Sequence, residues 1–308
     1  KRKLITKIDT LIIDEISMVR ADLIDGIDIS LRKNGGDPNL PFGGKQIVFI
    51  GDIFQLEPVI RKDSEEYDIL KKFYKSFFFF DAQAFQKMEL ISIELQKVYR
   101  QKEESFIRLL DKVRKNNINT SDIAKLNQRY QKGNQNFDSE GEITLCTTNR
   151  LADEKNETEL EALSTKQFTY TGKVEGVFEE SKYPAEFHLM LKEGSQVMFI
   201  RNDIQRGRWA NGTMGKISFL SQNTIEVELR SGEKHQIETE EWENRKYSIQ
   251  AEGKGIDDEI IGTYTQYPLK LAWAVTLHKS QGLTFDKVFL NLGRGAFARG
   301  QLYVALSR

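Results

Sequence analysis

Short apolar runs near the start of the chain end in polar residues. Residues 11–13 are Leu-Ile-Ile and lead directly into Asp14 and Glu15, and the run "QIVFI" occupies 46–50. Uninterrupted apolar runs of this length are typical of strands that a sheet buries on both faces. The pattern therefore predicts two buried strands with polar residues at their ends.

A helical pattern separates these two runs. Its apolar residues recur at helical spacing and share one face: Leu23, Ile24, Ile27 and Leu31. Gly35 follows them and is a suitable C-cap. Strands that alternate with helices favour a parallel sheet, so residues 1–90 are predicted to be α/β structure.

The pattern restarts near residue 90. A second helical face is expected from Phe106, Leu109, Leu110 and Val113, and a buried strand from "ITLCT" at 143–147. Short β-type runs then follow one another between 194 and 250, with turn signals at Asn211-Gly212 and Ser231-Gly232. These runs predict a small antiparallel β-barrel inserted into a second α/β domain.

The end of the chain returns to the α/β pattern. "LKLAWAVTLHKSQ" (269–281) is predicted to be a helix, "KVFLNL" (287–292) a strand and "GQLYVALSR" (300–308) a helix. The predicted division of the chain is 1–90 for the first α/β domain, 91–193 and 261–308 for the second, and 194–260 for the inserted barrel.

The composition changes this picture little. Of the 308 residues, 39% are hydrophobic and 30% are charged, and the 45 Lys and Arg nearly cancel the 46 Asp and Glu. A nucleic-acid partner would therefore have to bind a local basic groove. No apolar run approaches the ~18 residues of a membrane span, so no membrane partner is expected. The single cysteine, Cys146, is expected to be buried in a strand, and the expected location is cytoplasmic.

Asp14 and Glu15 provide the first candidate chemistry. A strand-end Asp can hold Mg²⁺ through water, and a neighbouring Glu can orient or deprotonate an attacking water molecule. An acidic pair at a strand end can also be an ordinary helix N-cap. The pair alone leaves both interpretations open.

Residues 42–59, "FGGKQIVFIGDIFQLEPV", contain a Gly-Gly-Lys that does not form a phosphate-binding loop. The G-x-x-x-x-G-K-[ST] loop follows a strand and opens a helix, whereas here position 46 is Gln and a strand comes afterwards. Gln55 lies beyond that strand. Its neutral amide can hydrogen-bond both a γ-phosphate and an attacking water molecule, so it can sense whether ATP is intact.

Further candidates lie later in the chain. Arg100 precedes a predicted amphipathic helix and, taken alone, is an ordinary surface arginine. A dense group of donors suited to phosphates and sugars precedes Gly282: Thr276, His278, Lys279, Ser280 and Gln281. Arg308 can act as an arginine finger. Trp209 and Trp273 can stack on bases, although Trp273 fits better in a core.

These motifs, in this order, resemble those of the Pif-type, RecD-like DNA helicases of superfamily 1, most closely a bacterial member. The stretches that carry the resemblance span the chain: "IIDEISM", "PFGGKQ" with "GDIFQLEPV", "VYRQ", "LAWAVTLHKSQGLTFDKV" and "YVALSR". "RGRWANGTMGKI" resembles part of the small barrel of these enzymes. Glu57 is a departure, because many members have Pro there.

The resemblance implies a RecA-like P-loop NTPase architecture, with tandem RecA-like domains, the first incomplete, and an inserted barrel. It implies ATP and Mg²⁺ as cofactors, single-stranded and forked duplex DNA as partners, and 5′-to-3′ movement. Asp14 would hold Mg²⁺ and Glu15 would be the catalytic base. The other nucleotide contacts would be Gln55, Arg100, Gln281, Gly282 and Arg308, and the DNA contacts Thr276, His278, Lys279, Ser280 and Trp209.

The family's phosphate-binding loop lies upstream of the strand that ends at Asp14. The chain is therefore expected to be a piece of a longer helicase that does not hydrolyse ATP by itself. In RecA-like sheets the strand before that loop lies beside residues 46–50. The edge at 46–50 is accordingly expected to be exposed and able to pair with another chain.

Two other functions stay open. One is a nucleic-acid-binding module without catalysis, in which the second domain and its barrel are the functional part. The other is a RecD-like subunit of a recombination complex. Another P-loop ATPase that shares only the acidic strand end fits less well, because it does not explain "HKSQG" and "YVALSR".

Overall fold

The computed structural model describes residues 2–60, 62–130, 142–249, 256–285 and 287–308. Close contacts group them into two compact units. One unit contains the described residues up to Tyr130, then Ile249 and Ile256, and Ala296–Ser307. The other contains the described residues from 142 to 248, those within Asp257–Gly295, and Arg308. Each unit has its own apolar core.

The described helices are α1 (Arg2–Lys7), α2 (Ala21–Asn34), α3 (Glu65–Phe73), α4 (Glu104–Arg114), α5 (Thr120–Asn127), α6 (Asn149–Ala162) and α7 (Gln301–Ser307). None of them combines the length and the apolar character that crossing a membrane requires. The described strands are β1 (Thr10–Ile13), β2 (Gln46–Phe49), β3 (Ile143–Cys146), β4 (Gln167–Thr171), β5 (Lys173–Gly176), β6 (His188–Lys192), β7 (Gln196–Phe199), β8 (Met214–Leu220), β9 (Ile225–Leu229), β10 (Lys234–Ile237), β11 (Glu240–Ile249), β12 (Ile256–Gln266), β13 (Leu269–Leu271), β14 (Ala274–Thr276) and β15 (Val288–Asn291).

In the first unit, β1 and β2 form a parallel pair, as predicted. The register runs from Thr10 opposite Gln46 to Ile13 opposite Phe49. One face of this pair contributes to the core around α2, which includes the fully buried Ile24. On α2, Leu23 is 52% exposed, so the prediction that it shares one face with the buried Ile24 was wrong. Ile12, on the other face of the pair, is also exposed, so the prediction that β1 is buried on both faces was wrong.

Gly35 forms the C-cap of α2, as predicted, and the reason is close packing. A Cβ atom at Gly35 would lie 2.7 Å from the backbone nitrogen of Thr6, the residue before the end of α1. Any larger residue would therefore push α1 away from the end of α2. Gly35 thus allows α1 to pack closely against the end of α2.

The second unit contains a parallel sheet in the order β14-β3-β15. All four residues of β3 are buried, as predicted for residues 143–147. The prediction of a helix over 269–281 was wrong, because this stretch forms β13, β14 and a turn. A strand buried on both faces gives the same continuous apolar run as a buried helix, so periodicity could not distinguish them.

The antiparallel part of the second unit differs from the predicted barrel. Its main sheet has five strands in the open order β10-β9-β8-β7-β13, and no closed barrel occurs among the described strands. The antiparallel pair β4–β6 shares one apolar core with this sheet, through Tyr170, Leu189 and Leu191. A second, three-stranded sheet has the order β11-β12-β5. Antiparallel structure therefore extends on both sides of the predicted 194–260.

Candidate functional site

In the first unit, the chain segments that follow β1 and β2 lie side by side. The backbone N–H of Ile50 donates to Ile13 O across 2.9 Å, and that of Ile16 donates to Ile50 O across 3.0 Å. A Cβ atom at Gly51 would lie 2.9 Å from Ile16 N, so the glycine permits this close approach. Ligands of open α/β sheets bind beyond the carboxyl ends of the strands, which is where Asp14 lies.

Asp14 and Glu15 form a tight turn at this edge. Asp14 is exposed, and its Oδ1 accepts a hydrogen bond from the backbone N–H of Glu15 across 2.8 Å. Glu15 adopts a left-handed conformation with φ 49° and ψ 43°. Such conformations are uncommon for residues other than glycine and cluster at functional sites. The turn places two adjacent acidic residues at one end of the sheet.

The loop of residues 52–55 follows β2 and contains Gln55. Asp52 accepts hydrogen bonds from the backbone N–H of Phe54 across 3.0 Å and from Gln55 Nε2 across 3.3 Å. The backbone N–H of Gln55 also donates to Asp52 O across 3.0 Å. Leu56 next to the loop is buried and anchors it. The half-buried Gln55 is thus held by Asp52 at the same edge as Asp14.

Arg100 lies near α7 in the first unit. The side chain of Arg100 is exposed. Burial, and then the Asp52 carboxylate, raise the pKa of Tyr303 to about 12, whereas the positive charge of Arg100 lowers it. The neighbouring Gln101 Nε2 donates to Ser307 O across 3.5 Å. The predicted arginine is therefore accessible and lies near the helix that contains Tyr303.

In the second unit, four of the predicted DNA-binding residues lie at the end of β14 and in the turn after it, at the carboxyl edge of the parallel sheet. Thr276 is buried, and its Oγ1 accepts from the backbone N–H of Lys279 across 3.3 Å. Ser280 is fully buried, and its hydroxyl donates to Leu277 O across 2.8 Å. Both hydroxyls shape the turn, whereas Lys279 is exposed and half-buried His278 has its pKa lowered by burial.

Two residues that sequence reasoning missed lie in the same unit. Thr147 follows β3 at the carboxyl edge, and its hydroxyl donates to Leu292 O across 3.3 Å. Lys270 on β13 lies close to Lys279, and burial, followed by the charge of Lys279, lowers its pKa to about 8. The strand-end rule that identified Asp14 also applies to Thr147. No local pattern indicates that Lys270 is half-buried, because this depends on packing.

The end of the chain meets the loop that follows Gln281 and Gly282. Arg308 is buried, its Nη1 donates to Leu283 O across 3.3 Å, and its backbone carbonyl accepts from Phe285 N–H across 3.3 Å. Within the described part of the chain, the buried amide of Gln281 has no hydrogen-bond partner. An unpartnered buried amide costs stability and suits a position that meets a ligand.

Trp209 has both faces of its indole ring covered. The ring stacks on Phe199 with centroids 4.2 Å apart, and the guanidinium of Arg208 lies 4.1 Å from the indole centroid. Arg208 is itself fixed by Asp203, whose Oδ2 accepts from Nε across 2.6 Å. A base could stack on Trp209 only after Arg208 moved, so this geometry does not support the predicted stacking role.

The chain is similar to known helicases in sequence and in structure. A family model described as PIF1-like helicase matches residues 1–124. The chain is 33% identical, over 97% of its length, to the ATP-dependent DNA helicase PIF1 of Xenopus laevis, and covers 44% of that protein. It is 38% identical to Bacteroides Pif1 in complex with ADP-AlF4, with a TM-score of 0.80, and covers 69% of that structure. For Bacteroides Pif1 with ADP-AlF3 and single-stranded DNA, the identity is 39%, the TM-score 0.72 and the coverage 70%; the chain is covered completely in both.

These similarities define the fold class as the RecA-like fold of P-loop helicases. More narrowly, the chain belongs to the family of Pif1-like helicases. It spans less than half the length of the Xenopus relative. The family therefore follows from the comparisons, while the activity of the whole protein is a separate question.

Proposed function

We propose that this chain is part of an ATP-dependent DNA helicase that couples ATP hydrolysis, by two RecA-like domains, to 5′-to-3′ movement on single-stranded DNA and to duplex unwinding. The observation that carries the proposal is the carboxyl edge of β1 and β2. There the accessible Asp14, the left-handed Glu15 and the loop of Gln55 lie together, in a chain of the Pif1-like family.

The carboxylate of Asp14 fits Mg²⁺. Mg²⁺ prefers oxygen ligands, keeps several waters and commonly binds one or two carboxylates together with substrate phosphates. The described residues contain no cluster of three or more His, Cys, Asp or Glu side chains that could hold a metal without such help. We infer that Asp14 holds the ion through water. Mg²⁺, when bound, supplies positive charge that neutralises the phosphates.

Glu15 and Gln55 then have different roles at the γ-phosphate. The Glu15 carboxylate orients or deprotonates the attacking water, and the Gln55 amide hydrogen-bonds both this water and the γ-phosphate. Arg100 and Arg308 stabilise the charge that builds in the transition state, a contribution of about 10³–10⁵ in rate for such arginines. The unpartnered amide of Gln281, with Gly282, borders the nucleotide.

The second unit provides the proposed contacts to DNA. Lys279 is exposed and binds a phosphate, and His278 is next to it. Thr276 and Ser280 are buried, so their part is to shape the turn that presents these two residues. A local patch of this kind matters because the net charge of the chain is −1, which gives no general attraction to DNA.

We propose the domain ranges predicted from the sequence, except that the antiparallel insertion also includes β4–β6 and β13. We also expect the 308 residues alone not to hydrolyse ATP, because their sequence contains no G-x-x-x-x-G-K-[ST] loop to hold the triphosphate. Activity is therefore to be measured in the full-length protein.

The alternative of a non-catalytic DNA-binding module makes a different prediction for Glu15. In the full-length protein, Glu15→Gln should lower single-stranded-DNA-stimulated ATP hydrolysis by about 10²–10⁴, because it removes the base. Glu65→Gln, an exposed glutamate at the start of α3, is the matched control and should act like the wild type. DNA binding without any ATP hydrolysis in the wild type would instead support the binding module. Activity only within a larger nuclease assembly would support the RecD-like subunit.

A further inference from the structure

The loop of residues 52–55 is in direct contact with the chain just before α7. Gly300 has φ 75°, and a Cβ atom there would lie 2.1 Å from Gln55 O and 2.7 Å from Phe54 O. No side chain can be accommodated at such distances without moving the backbone. The backbone of Gly300 therefore packs directly on the loop that contains Gln55.

A second contact to this loop comes from α4. The guanidinium of Arg114, the last residue of α4, lies 5.3 Å from the ring centroid of Phe54, in a cation–π arrangement. Asp111 and Glu94 orient Arg114 through ion pairs of 2.9 Å and 3.5 Å. Helix α4 also packs on α7, so both helices hold the loop together.

The third contact is made by Tyr303 on α7. Its hydroxyl lies beside the carboxylate of Asp52, the same carboxylate that accepts from Gln55 Nε2. Burial, together with the Asp52 charge, raises the pKa of Tyr303 to about 12, although Arg114 and Arg100 act in the opposite direction. The hydroxyl therefore keeps its proton at neutral pH and can donate it to Asp52.

We propose that Tyr303 and Arg114 are positioning residues that hold the 52–55 loop and so place the amide of Gln55. In this proposal Tyr303 donates a hydrogen bond to Asp52, and Arg114 acts through Phe54. The inference rests on the proposed role of Gln55 in ATP hydrolysis. Neither side chain touches the nucleotide in this role. Each acts on the loop from a helix that is distant from Gln55 in the sequence.

The consequence is a connection between α7 and the γ-phosphate sensor. While α7 contacts the loop, Asp52 has donors on two sides and its carboxylate is fixed, so the Gln55 amide has one preferred orientation. When the Tyr303 hydroxyl is absent, Asp52 loses one donor and can rotate with Gln55. The water and the γ-phosphate then meet an amide that is less well oriented.

The test uses Tyr303→Phe, Asp52→Asn and the double variant in the full-length protein. Tyr303→Phe should lower kcat for DNA-stimulated ATP hydrolysis about tenfold, the size expected for a hydrogen bond to a charged group. KM for ATP, single-stranded-DNA affinity and the thermal midpoint should stay unchanged. In the Asp52→Asn background the same change should have little further effect, because the two residues act as one unit. Tyr130→Phe, an exposed tyrosine of the first unit, is the control.

The outcomes separate this inference from the proposed function. Wild-type kcat in Tyr303→Phe, or equal losses in both backgrounds, would overturn the positioning role while leaving ATP hydrolysis intact. Wild-type rates of ATP hydrolysis in Glu15→Gln would overturn the proposed function instead. Arg114→Lys, which keeps the charge but loses the planar group over Phe54, should also lower kcat without changing KM.

Discussion

The side chain of Gln55 donates to the carboxylate of Asp52 across 3.3 Å, within one loop at the carboxyl edge of β2. This bond gives the amide a defined orientation before any ligand binds. The loop is also anchored by the buried Leu56. An amide that is fixed in advance costs little reorganisation when it meets a developing charge, which is how such groups contribute to rate.

Gln55→Ala should therefore affect the rate more than the binding of ATP. We expect kcat for DNA-stimulated hydrolysis to fall by about 10²–10³, the cost of removing one oriented hydrogen-bond donor from a reaction centre. KM for ATP should change little. The measurement is steady-state ATP hydrolysis. Gln86→Ala is the control, because Gln86 is exposed and lies in the same unit. A change in KM alone would argue against a role in the chemical step.

Asp28 should be essential for the stability of the first unit. It is buried on α2, its Oδ1 accepts from Phe42 N–H across 2.5 Å, and its Oδ2 pairs with Arg32 across 2.5 Å. Asp28→Ala would leave both partners unsatisfied. We expect a loss of about 3–5 kcal/mol in unfolding free energy, measured by denaturant titration. Asp63→Ala, an exposed aspartate, should change it by less than about 0.5 kcal/mol. Equal stability of the two variants would contradict this.

Lys270 should make the stability of the second unit depend on pH. Burial lowers its pKa to about 8 in the folded protein, whereas an unfolded chain has a value of about 10.4. Between these values the unfolded state binds more protons, so the wild type should gain stability as pH rises from 8 to 10. Lys270→Met removes this gain. Thermal midpoints at several pH values test it, with Lys246→Met, an exposed lysine, as the control. A constant midpoint difference between wild type and Lys270→Met would refute the prediction.

The isolated 308 residues should self-associate. Among the described strands, β2 pairs with β1 alone, and Ile50 just beyond it is 47% exposed. Ile91 and Ile93, in a stretch with alternating apolar residues, are 92% and 81% exposed. A strand edge without a partner and exposed apolar segments of this kind can pair with other chains. Light scattering should show oligomers that the double change Ile91→Lys and Ile93→Lys reduces. Ile204→Lys, equally exposed in the second unit, should not reduce them, and a monomeric wild type would exclude the idea.

Much of the architecture near Asp14 could be predicted from the sequence. The strand at 11–13, the helix with Ile24 and the strand at 46–50 are determined by local apolar patterns, and the structure contains all three. The pairing of β1 with β2 then brings Asp14 and the 52–55 loop to one edge. Parallel strands make this outcome predictable, because their carboxyl ends coincide.

The parts that could not be predicted depend on packing. The stretch 269–281 is compatible with a helix or with strands, because most of its apolar residues form one continuous run. The stacking of Trp209 between Phe199 and Arg208 joins residues whose contact no local pattern indicates. The same holds for Tyr303 beside Asp52, which are about 250 positions apart in the sequence.

Strand separation tests the central claim most directly. The full-length protein, supplied with ATP and Mg²⁺, should unwind a DNA duplex that carries a 5′ single-stranded tail, and Glu15→Gln should not. A duplex with only a 3′ tail should remain intact. No unwinding of the 5′-tailed duplex, or unwinding that continues at the same rate in Glu15→Gln, would contradict the account.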